Sequence, residues 1–249
     1  MAEPFVVVPP SGARVRTRLG VNDTDEVVLA ALGAHLGPLA SLDLAHRVAE
    51  GSLDKAGKAE SRKVRKQALT DESSSRWAGA ITRTSEDAYG LAKRNLQAER
   101  VSLRARVDKI TKRVALGPGE EKGRLLAYDS APERWEKQRR AQVLSSRLAD
   151  VDAQLASGAL SVCRGGKRTA LHRHHLDKAG LTLAQWRSEG EASRWFITAD
   201  GEADETWGNE TIRWHPVQGW LEVKLPAALA GYANRSHNRY RLSCRVSWA

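Results

Sequence analysis

The stretch Arg239-Tyr-Arg-Leu-Ser-Cys-Arg-Val-Ser-Trp248 alternates polar residues with apolar or aromatic ones along its whole length. Because successive side chains of a β-strand point to opposite faces, this pattern predicts a strand with one basic face and one core face. Residues 195–198, 210–214 and 220–225 also have strand character, and Gly or Pro lies near most of their ends. The region from about residue 161 onwards is therefore predicted to be rich in strands.

The first fifty residues combine strand and helix signals. Residues 5–8 form a short apolar run closed by two prolines, and residues 14–19 alternate basic with mostly apolar residues, which predicts two strands. Residues 22–24 offer helix N-caps before an apolar-periodic run. We expect that helix to end at Gly37-Pro38 and a second helix to cover residues 41–50, because proline interrupts helical hydrogen bonding.

Residues 51–160 are polar, and their apolar residues repeat with a helical period. The repeating residues are Leu96, Leu103, Val107, Ile110 and Val114 in one stripe and Leu144, Leu148, Val151 and Leu155 in another. Two such stripes, separated by the helix-breaking Gly117-Pro118-Gly119, predict an antiparallel helical hairpin whose apolar seams pack together. We expect no strand in this segment.

The charge of the chain is unevenly distributed. It carries 40 Lys and Arg against 30 Asp and Glu, and residues 51–150 hold 23 of the basic and 14 of the acidic residues. Arginine outnumbers lysine 28 to 12, and guanidinium groups suit phosphate oxygens, although a GC-rich genome also favours Arg codons. A basic segment of this kind is typical of nucleic-acid binding, with a merely solvated surface as the alternative.

The composition and the N-terminus exclude several classes of protein from our hypotheses. No run approaches the roughly 18 to 20 apolar residues that span a bilayer. The first ten residues lack the basic region and the long apolar core of a secretory signal. Two cysteines, Cys163 and Cys244, are too few for a disulfide framework. We expect a cytoplasmic protein with no membrane partner.

The segment Ser161-Val-Cys-Arg-Gly-Gly-Lys-Arg-Thr-Ala-Leu-His-Arg-His-His175 is the richest candidate site. Gly165 and Gly166 allow a ligand to approach the backbone closely. The flanking Arg164, Lys167 and Arg168 place positive charge beside them, which suits a phosphate group. The segment lacks the Gly-Lys-Ser/Thr order of a nucleotide-binding P-loop.

Zinc is the alternative ligand for this segment, through Cys163 with His172, His174 and His175. Adjacent histidines on a helix diverge by about 100°, and the Cys-His spacing matches no standard zinc finger. We therefore favour solvated or RNA-facing histidines, and we expect no metal site.

Catalytic groups are also sought among the acidic residues, because a metal-dependent nuclease needs clustered carboxylates. The densest cluster is Asp200-Gly-Glu-Ala-Asp-Glu205, whose spacing does not match a calcium-binding loop. We interpret it as a charged hairpin loop, since Asp and Gly are common turn residues. The sequence has no serine-hydrolase elbow, His-Glu-x-x-His motif or dinucleotide fingerprint. We expect this chain alone to be non-catalytic and to bind no cofactor.

A series of short motifs runs in order along the chain: Ser73-Ser-Ser-Arg-Trp-Ala-Gly-Ala-Ile-Thr82, Val162-Cys-Arg-Gly-Gly-Lys-Arg168, Leu181-Thr-Leu-Ala-Gln-Trp-Arg187, Phe196-Ile-Thr-Ala-Asp-Gly-Glu202, Thr206-Trp-Gly-Asn-Glu-Thr-Ile212 and Leu221-Glu-Val-Lys-Leu-Pro226. The series resembles the N-terminal half of TnpB-like proteins, most closely their actinobacterial members. These are transposon-encoded RNA-guided nucleases, related to type V CRISPR effectors and often labelled transposases. The resemblance covers nearly the whole chain.

The resemblance implies a wedge-like β-barrel interrupted by a helical recognition insert. The expected fold is then α+β, with residues 1–50 and 161–249 forming one discontinuous β-rich domain, a small barrel, and residues 51–160 forming the helical insert with its antiparallel hairpin. In that family a RuvC-like nuclease domain, with an Asp, Glu, Asp metal site, and a Cys-rich zinc ribbon come later in the chain. This sequence contains neither, so we expect a fragment of a longer protein, with Mg²⁺ needed only by the missing nuclease domain.

The leading hypothesis is the guide-RNA and target-DNA binding portion of a TnpB-like RNA-guided nuclease, with guide RNA and double-stranded target DNA as partners. Two alternatives stay open: a nuclease-dead repressor derived from the same family, and a coiled-coil interaction protein without a nucleic-acid role. The candidate RNA- and DNA-binding residues are Arg14, Arg16, Arg18, Arg104, Lys112, Arg139, Arg140, Arg164, Gly165, Gly166, Lys167, Arg168, Asn209, Arg213, Arg239, Arg241 and Arg245.

Overall fold

The structure is a computed structural model, and it describes residues 19–201, 209–215 and 217–245. The fold is α+β, as predicted, with helices and two small antiparallel sheets. These sheets have two and three strands, and the described residues form no closed barrel. The strands predicted at 5–8 and 14–19 lie outside the described residues.

The chain divides into two compact units. Residues 1–32 with residues 199–249 form the first unit, and residues 33–198 form the second. The bounds of the second unit are wider than those of the predicted insert, 51–160. The assignment of a wedge-like domain and an insert stays a prediction.

The second unit is mainly helical, and helix α1 enters it from the first unit. The helices in chain order are α1 (Asp23–Ala49), α2 (Lys55–Thr70), α3 (Ser75–Val114), α4 (Ala131–Ser157), α5 (Lys167–His172), α6 (Leu176–Ala179) and α7 (Leu183–Ala192). Four of them begin after a residue whose side chain accepts a backbone N–H of the first turn: Asp54, Ser74, Ser130 and Thr182. Side-chain oxygens at this position satisfy N–H groups that the helix itself leaves unpaired.

Helix α1 runs through Pro38 without ending, so the prediction of two helices separated at Gly37-Pro38 is wrong. Pro38 has no N–H and cannot donate to the carbonyl of Ala34. The preceding carbonyl, that of Gly37, accepts hydrogen bonds from Ser41 (2.9 Å) and from the Arg164 guanidinium (2.8 Å). Support for the helix at its proline therefore comes from a residue far along the chain, which a local pattern does not reveal.

By length and composition, α1 is the one helix among the described residues that could cross a membrane. Its most apolar 18-residue window has a mean hydropathy of 1.6, and half of that window is buried inside the structure. A core helix of a soluble protein has the same properties. The expectations of a cytoplasmic location and of no membrane partner stay predictions.

A buried group of charges, which we call the charge cluster, joins α1, α2 and α3. Arg65 of α2 donates to both carboxylate oxygens of Asp43 on α1 (2.9 Å each) and to Glu86 of α3 (2.6 Å). Arg47 of α1 is fully buried, lies 2.7 Å from the same Glu86 carboxylate, and stacks 3.9 Å from the centroid of the Tyr89 ring. Because buried charges have lost their hydration, the helices must be arranged so that these groups stay paired.

Helices α3 and α4 form the predicted antiparallel hairpin. Glu99 of α3 pairs with Arg147 of α4 (3.0 Å), and Arg134 Nε near the start of α4 donates to the last carbonyl of α3 (2.8 Å). Residue numbers thus rise on one helix as they fall on the other. The seam residues Leu103 and Val151 are buried, in agreement with the predicted apolar stripes.

The base of the hairpin is closed against the loop between α1 and α2. Gly158 ends α4 with a φ of 71°, and a Cβ there would overlap the backbone nitrogen of Ser52. The buried Tyr89 hydroxyl donates to the Gly158 carbonyl (2.9 Å). Arg47 Nη1 donates to the carbonyl of Gly51 in the same loop (2.9 Å).

The tip of the hairpin contains two short antiparallel strands, so the expectation of no strand between residues 51 and 160 is wrong. They are β1 (Glu121–Lys122) and β2 (Leu125–Leu126). Gly119 and Gly123 take φ angles of 76° and 63°, which permit the tight turns. Two residues per strand are too few to produce a readable alternation.

Residues 161–198 contain helices α5, α6 and α7 and no strand, unlike the strand-rich segment that we expected. Helix α7 begins with a capping box, in which Thr182 and Gln185 bond reciprocally to each other's backbone. At the predicted strand 195–198, the Phe196 N–H instead donates to the Gly33 carbonyl of α1 (3.4 Å), and its ring is buried. The contact with α1 overrides the local strand propensity.

The first unit contains a three-stranded antiparallel sheet in the order β3 (Ile212–His215), β4 (Trp220–Lys224) and β5 (Arg239–Arg245). These strands confirm three of the predicted ones. Val223 and Leu242 lie on the core face and are almost fully buried.

Asp25, near the start of α1, ties that helix to β5 within the first unit. Its buried carboxylate accepts hydrogen bonds from the Tyr240 hydroxyl (2.8 Å) and from the backbone N–H (3.0 Å) and hydroxyl of Ser243. Burial by itself raises the pKa of Asp25, but the hydrogen bonds outweigh it, and the pKa lies below its usual value. Burial and the Asp25 carboxylate raise the pKa of Tyr240 to about 12.

We expect Arg65→Ala to reduce the free energy of unfolding by about 3 to 5 kcal/mol, because Asp43 would remain as a buried charge without its partner. Urea unfolding followed by circular dichroism measures this loss. Lys63→Ala, on the same helix with 64% of its side chain exposed, is the matched control and should change the value by less than about 0.5 kcal/mol. Equal stabilities of the two variants would contradict the role of the charge cluster.

The lowered pKa of Asp25 makes its contribution to stability depend on pH. The contribution is fully present above the unfolded-state pKa, near 3.9, and is lost as the pH falls through the lower folded-state value. Asp25→Asn should therefore lower the melting temperature at pH 7 and weaken the further decline below about pH 4. Calorimetric scans from pH 7 to pH 2 measure both effects. A variant with the wild-type decline would show that Asp25 does not titrate as described.

Candidate nucleic-acid interface

Four of the predicted residues are exposed on the hairpin, and we call them the basic hairpin set. They are Arg104 and Lys112 on α3 and Arg139 and Arg140 on α4. Within the part of the chain that the structure describes, none of the four pairs with an acidic residue. The Arg139 guanidinium stacks 4.9 Å from the ring centroid of Trp135, which is 58% exposed. Exposed cations without intramolecular counter-ions remain available to phosphate groups.

The glycine pair of the 161–175 segment lies at a cavity of about 380 Å³, which we call the basic pocket. Gly165 and Gly166 take φ angles of 82° and 91°, which residues with a Cβ rarely adopt. A Cβ at Gly165 would lie 2.7 Å from the Ser193 hydroxyl oxygen, whereas nothing lies within 4 Å of one at Gly166. Gly165 thus permits close packing, and Gly166 leaves open space at the pocket.

Three arginines that the sequence analysis did not select also line the basic pocket: Arg173, Arg187 and Arg194. The first two are exposed, and Arg194 Nε donates to a backbone carbonyl of α7 (2.9 Å). The indole N–H of Trp186 donates to the Thr169 carbonyl (2.7 Å), which joins α7 to α5 and brings their arginines together. These arginines are separated by 14 and 7 residues, so no short motif contains them.

Arg164 lines the pocket as well, but its guanidinium is held by the protein. Its Nη1 donates to the Gly37 carbonyl (2.8 Å) and to the Ser41 hydroxyl (3.1 Å), and its Nη2 donates to the Arg194 carbonyl (2.8 Å). Burial and the positive charge of Arg194 lower the pKa of Arg164 below its usual value. These contacts give Arg164 a structural role that the sequence analysis did not anticipate.

The sheet carries basic residues on one face, as predicted, but acidic residues neutralise much of it. Arg239 is buried and contacts the Glu210 carboxylate (3.3 Å), which also pairs with Arg213. Arg241 pairs with Glu222 (3.0 Å). The register places Glu222 of β4 directly opposite both Arg213 of β3 and Arg241 of β5. Such cross-strand neighbours are not visible in the alternation of a single strand.

Asn209 has contacts of the kind found in a strand-initiating turn. Its Oδ1 accepts the backbone N–H groups of Thr211 and Ile212 (2.9 Å each), and its Nδ2 donates to the Ala199 carbonyl (3.3 Å). Asparagine commonly stabilises turns by bonding to the backbone two residues on. A role in nucleic-acid binding stays a prediction.

Other predicted residues are described only in part or not at all. Arg168 is exposed on α5. Lys167 and Arg245 lie in α5 and β5, but their side chains are not described. The basic row Arg14, Arg16 and Arg18 lies outside the described residues.

Among the described residues, no group of three or more His, Cys, Asp and Glu side chains is placed to hold a metal ion. Cys163 is a free, exposed thiol. Residues 202–205 of the acidic cluster lie outside the described ranges. The expectations of no metal site and no catalysis by this chain therefore stay predictions.

No protein-family model, no curated protein and no solved structure matches this chain. The resemblance to TnpB-like proteins therefore rests on the ordered motifs alone, and any family assignment is a proposal.

We expect Arg164→Ala to lower the free energy of unfolding by about 1 to 3 kcal/mol, because three protein oxygens lose a donor. Arg168→Ala removes the same charge from an exposed position on α5 and should leave the value within about 0.5 kcal/mol of wild type. Differential scanning calorimetry of both variants measures the difference. Equal melting temperatures would contradict the structural role of Arg164.

Proposed function

We propose that this chain binds nucleic acid, as the guide-RNA and target-DNA binding portion of a TnpB-like RNA-guided nuclease, a transposon-encoded protein. In such a system base pairing reads the target sequence, while the protein holds the backbone of the guide and of the double-stranded target. Cleavage and its Mg²⁺ belong to the family's RuvC-like domain, which this sequence does not contain. The chain itself is then a binding module without a cofactor.

The observation that carries this proposal is the set of exposed cations without counter-ions. The basic hairpin set has no acidic partner among the described residues, in contrast to the buried arginines of the charge cluster. Arg173 and Arg187 add two exposed guanidinium groups at the basic pocket. Such a surface binds polyanions through release of their counter-ions, whatever their sequence.

Exposed Trp135 offers a second kind of contact to a nucleic acid. It lies on α4 beside Arg139, and both are exposed. A ring of this kind can stack on an unpaired base, which is typical of proteins that bind single strands. The combination of ring and guanidinium supports RNA over a featureless polyanion as the ligand.

We also propose that the three-stranded sheet belongs to a wedge-like barrel, completed by the strands predicted at residues 5–8 and 14–19. The bonds from Tyr240 and Ser243 to Asp25 support this arrangement, because they hold the start of α1 on β5. The predicted arginine strand ends only a few residues before Asp25.

A protein-binding coiled coil is the second candidate function. Val101 on α3 and Val143 on α4 are 66% and 69% exposed, and apolar residues on a helical surface favour contact with another helix. A nuclease-dead repressor of the same family would use the same basic surfaces as the leading candidate.

We expect the purified chain to bind a labelled 40-nucleotide structured RNA with an affinity that falls as salt rises from 50 to 300 mM. The double variant Arg104→Gln/Lys112→Gln should weaken binding of all sequences alike and make the salt slope shallower by about 1.4 to 1.8. Fluorescence anisotropy measures both quantities.

The matched control is Lys55→Gln/Lys58→Gln, which removes two exposed charges from α2 and should leave the slope near its wild-type value. Absence of RNA binding at 50 mM salt would refute the proposed function and favour the coiled coil. Equal effects of the two double variants would remove the hairpin from the interface.

A further inference from the structure

An apolar groove of about 660 Å³ lies beside the basic pocket, within the same unit. Pro38 and Leu42 of α1 line it, together with Trp195, which is 44% exposed. Glu191 and Arg194 line both the groove and the basic pocket, so the two cavities share a wall. An apolar aromatic surface therefore adjoins a phosphate-compatible one.

Trp195 is held firmly against α1. A Cβ at Gly33 would lie 2.8 Å from Trp195 Cβ, and a Cβ at Gly37 would lie 2.9 Å from the carbonyl oxygen of Arg194. Only glycine allows so close an approach at these two positions. The indole is thus fixed on the helix while almost half of its surface faces solvent, which is the arrangement of a stacking surface.

The groove also offers hydrogen-bonding groups at its edge. Ala34 lines it, and the carbonyl of Ala34 cannot receive the usual helical N–H because residue 38 is proline. Glu191 supplies a carboxylate acceptor, and Arg194 supplies guanidinium donors. Unpaired bases present both donors and acceptors on their edges, so these groups complement a base.

We infer that the groove and the basic pocket together bind one unpaired nucleotide of the bound RNA. Its base stacks on Trp195 in the groove, and its phosphate lies in the basic pocket beside Arg173 and Arg187. This inference rests on the proposed function and gives it a specific site away from the hairpin.

Charge complementarity favours a nucleotide over a peptide as the occupant. An apolar peptide helix would fill the groove but would leave the exposed Arg173 and Arg187 without a partner. An acidic peptide would pair with those arginines but has no flat ring for Trp195. A nucleotide joins a planar ring and an anion within one unit, which matches two adjoining cavities.

The test uses the full chain and a labelled single-stranded RNA of eight nucleotides. Trp195→Leu should weaken binding about 5- to 20-fold at every salt concentration without changing the salt slope, because stacking is not electrostatic. Arg173→Gln/Arg187→Gln should instead make the slope shallower by about 1.4. Trp195→Phe, which keeps a ring, should lose less affinity than Trp195→Leu.

Tyr232→Leu is the matched control, since Tyr232 is also 44% exposed but lies outside both cavities, and it should leave the affinity unchanged. Calorimetry verifies folding, and photo-crosslinking of 4-thiouridine RNA to the wild-type chain should label Trp195 or its neighbours. If Trp195→Leu does not fold, Trp195→Phe and the crosslink decide the outcome.

Different failures have different meanings. If the RNA binds and the hairpin variant weakens it, but Trp195→Leu and the crosslink show no involvement of the groove, this inference fails and the proposed function stands. If the wild-type chain binds no RNA, both fail. If a DNA octamer of the same sequence binds as tightly, with the same loss in Trp195→Leu, RNA is the wrong occupant.

Discussion

The pairing of Arg65 with Asp43 and Glu86 is the constraint on which the helical unit depends. Helix α2 buries only Arg65 and Leu69, so its position against α1 and α3 is determined as much by this guanidinium as by apolar packing. A rotation or a one-turn shift of any of the three helices would separate these charges while they remain out of water. The cost of an unpaired buried charge exceeds the gain from burying a typical apolar side chain, so alternative packings are strongly disfavoured.

The arginines of the chain differ by their partners and not by their sequence neighbourhoods. Arg47, Arg65 and Arg164 satisfy carboxylates, carbonyls or rings inside the protein, whereas Arg104 and Arg139 face solvent. The formal charge of +10 gives no information about this division. The charge available to a polyanion is set by which arginines lack internal partners, and the tertiary structure decides that.

Features with a strong local signal could be predicted from the sequence. The heptad stripes of α3 and α4 and the alternation of β5 depend on residues close together in the chain, and both elements are present. Continuity of α1 through Pro38 could not be predicted, because Arg164 supports it from a distance. For the same reason the counter-ions of the sheet and the arginines of the basic pocket were missed, while the glycines of that pocket were found through their local motif.

The closed base of the hairpin separates what can vary from what cannot. Gly158 lies against Ser52, and Tyr89 bonds to the Gly158 carbonyl, so this junction tolerates little change. Beyond it the arms repeat their seam every seven residues. Inserting or deleting one heptad in each arm preserves the register and changes the reach by about 10 Å, at 1.5 Å per residue. The hairpin is in effect a ruler graduated in heptads, whose length can evolve while its hinge point stays constant.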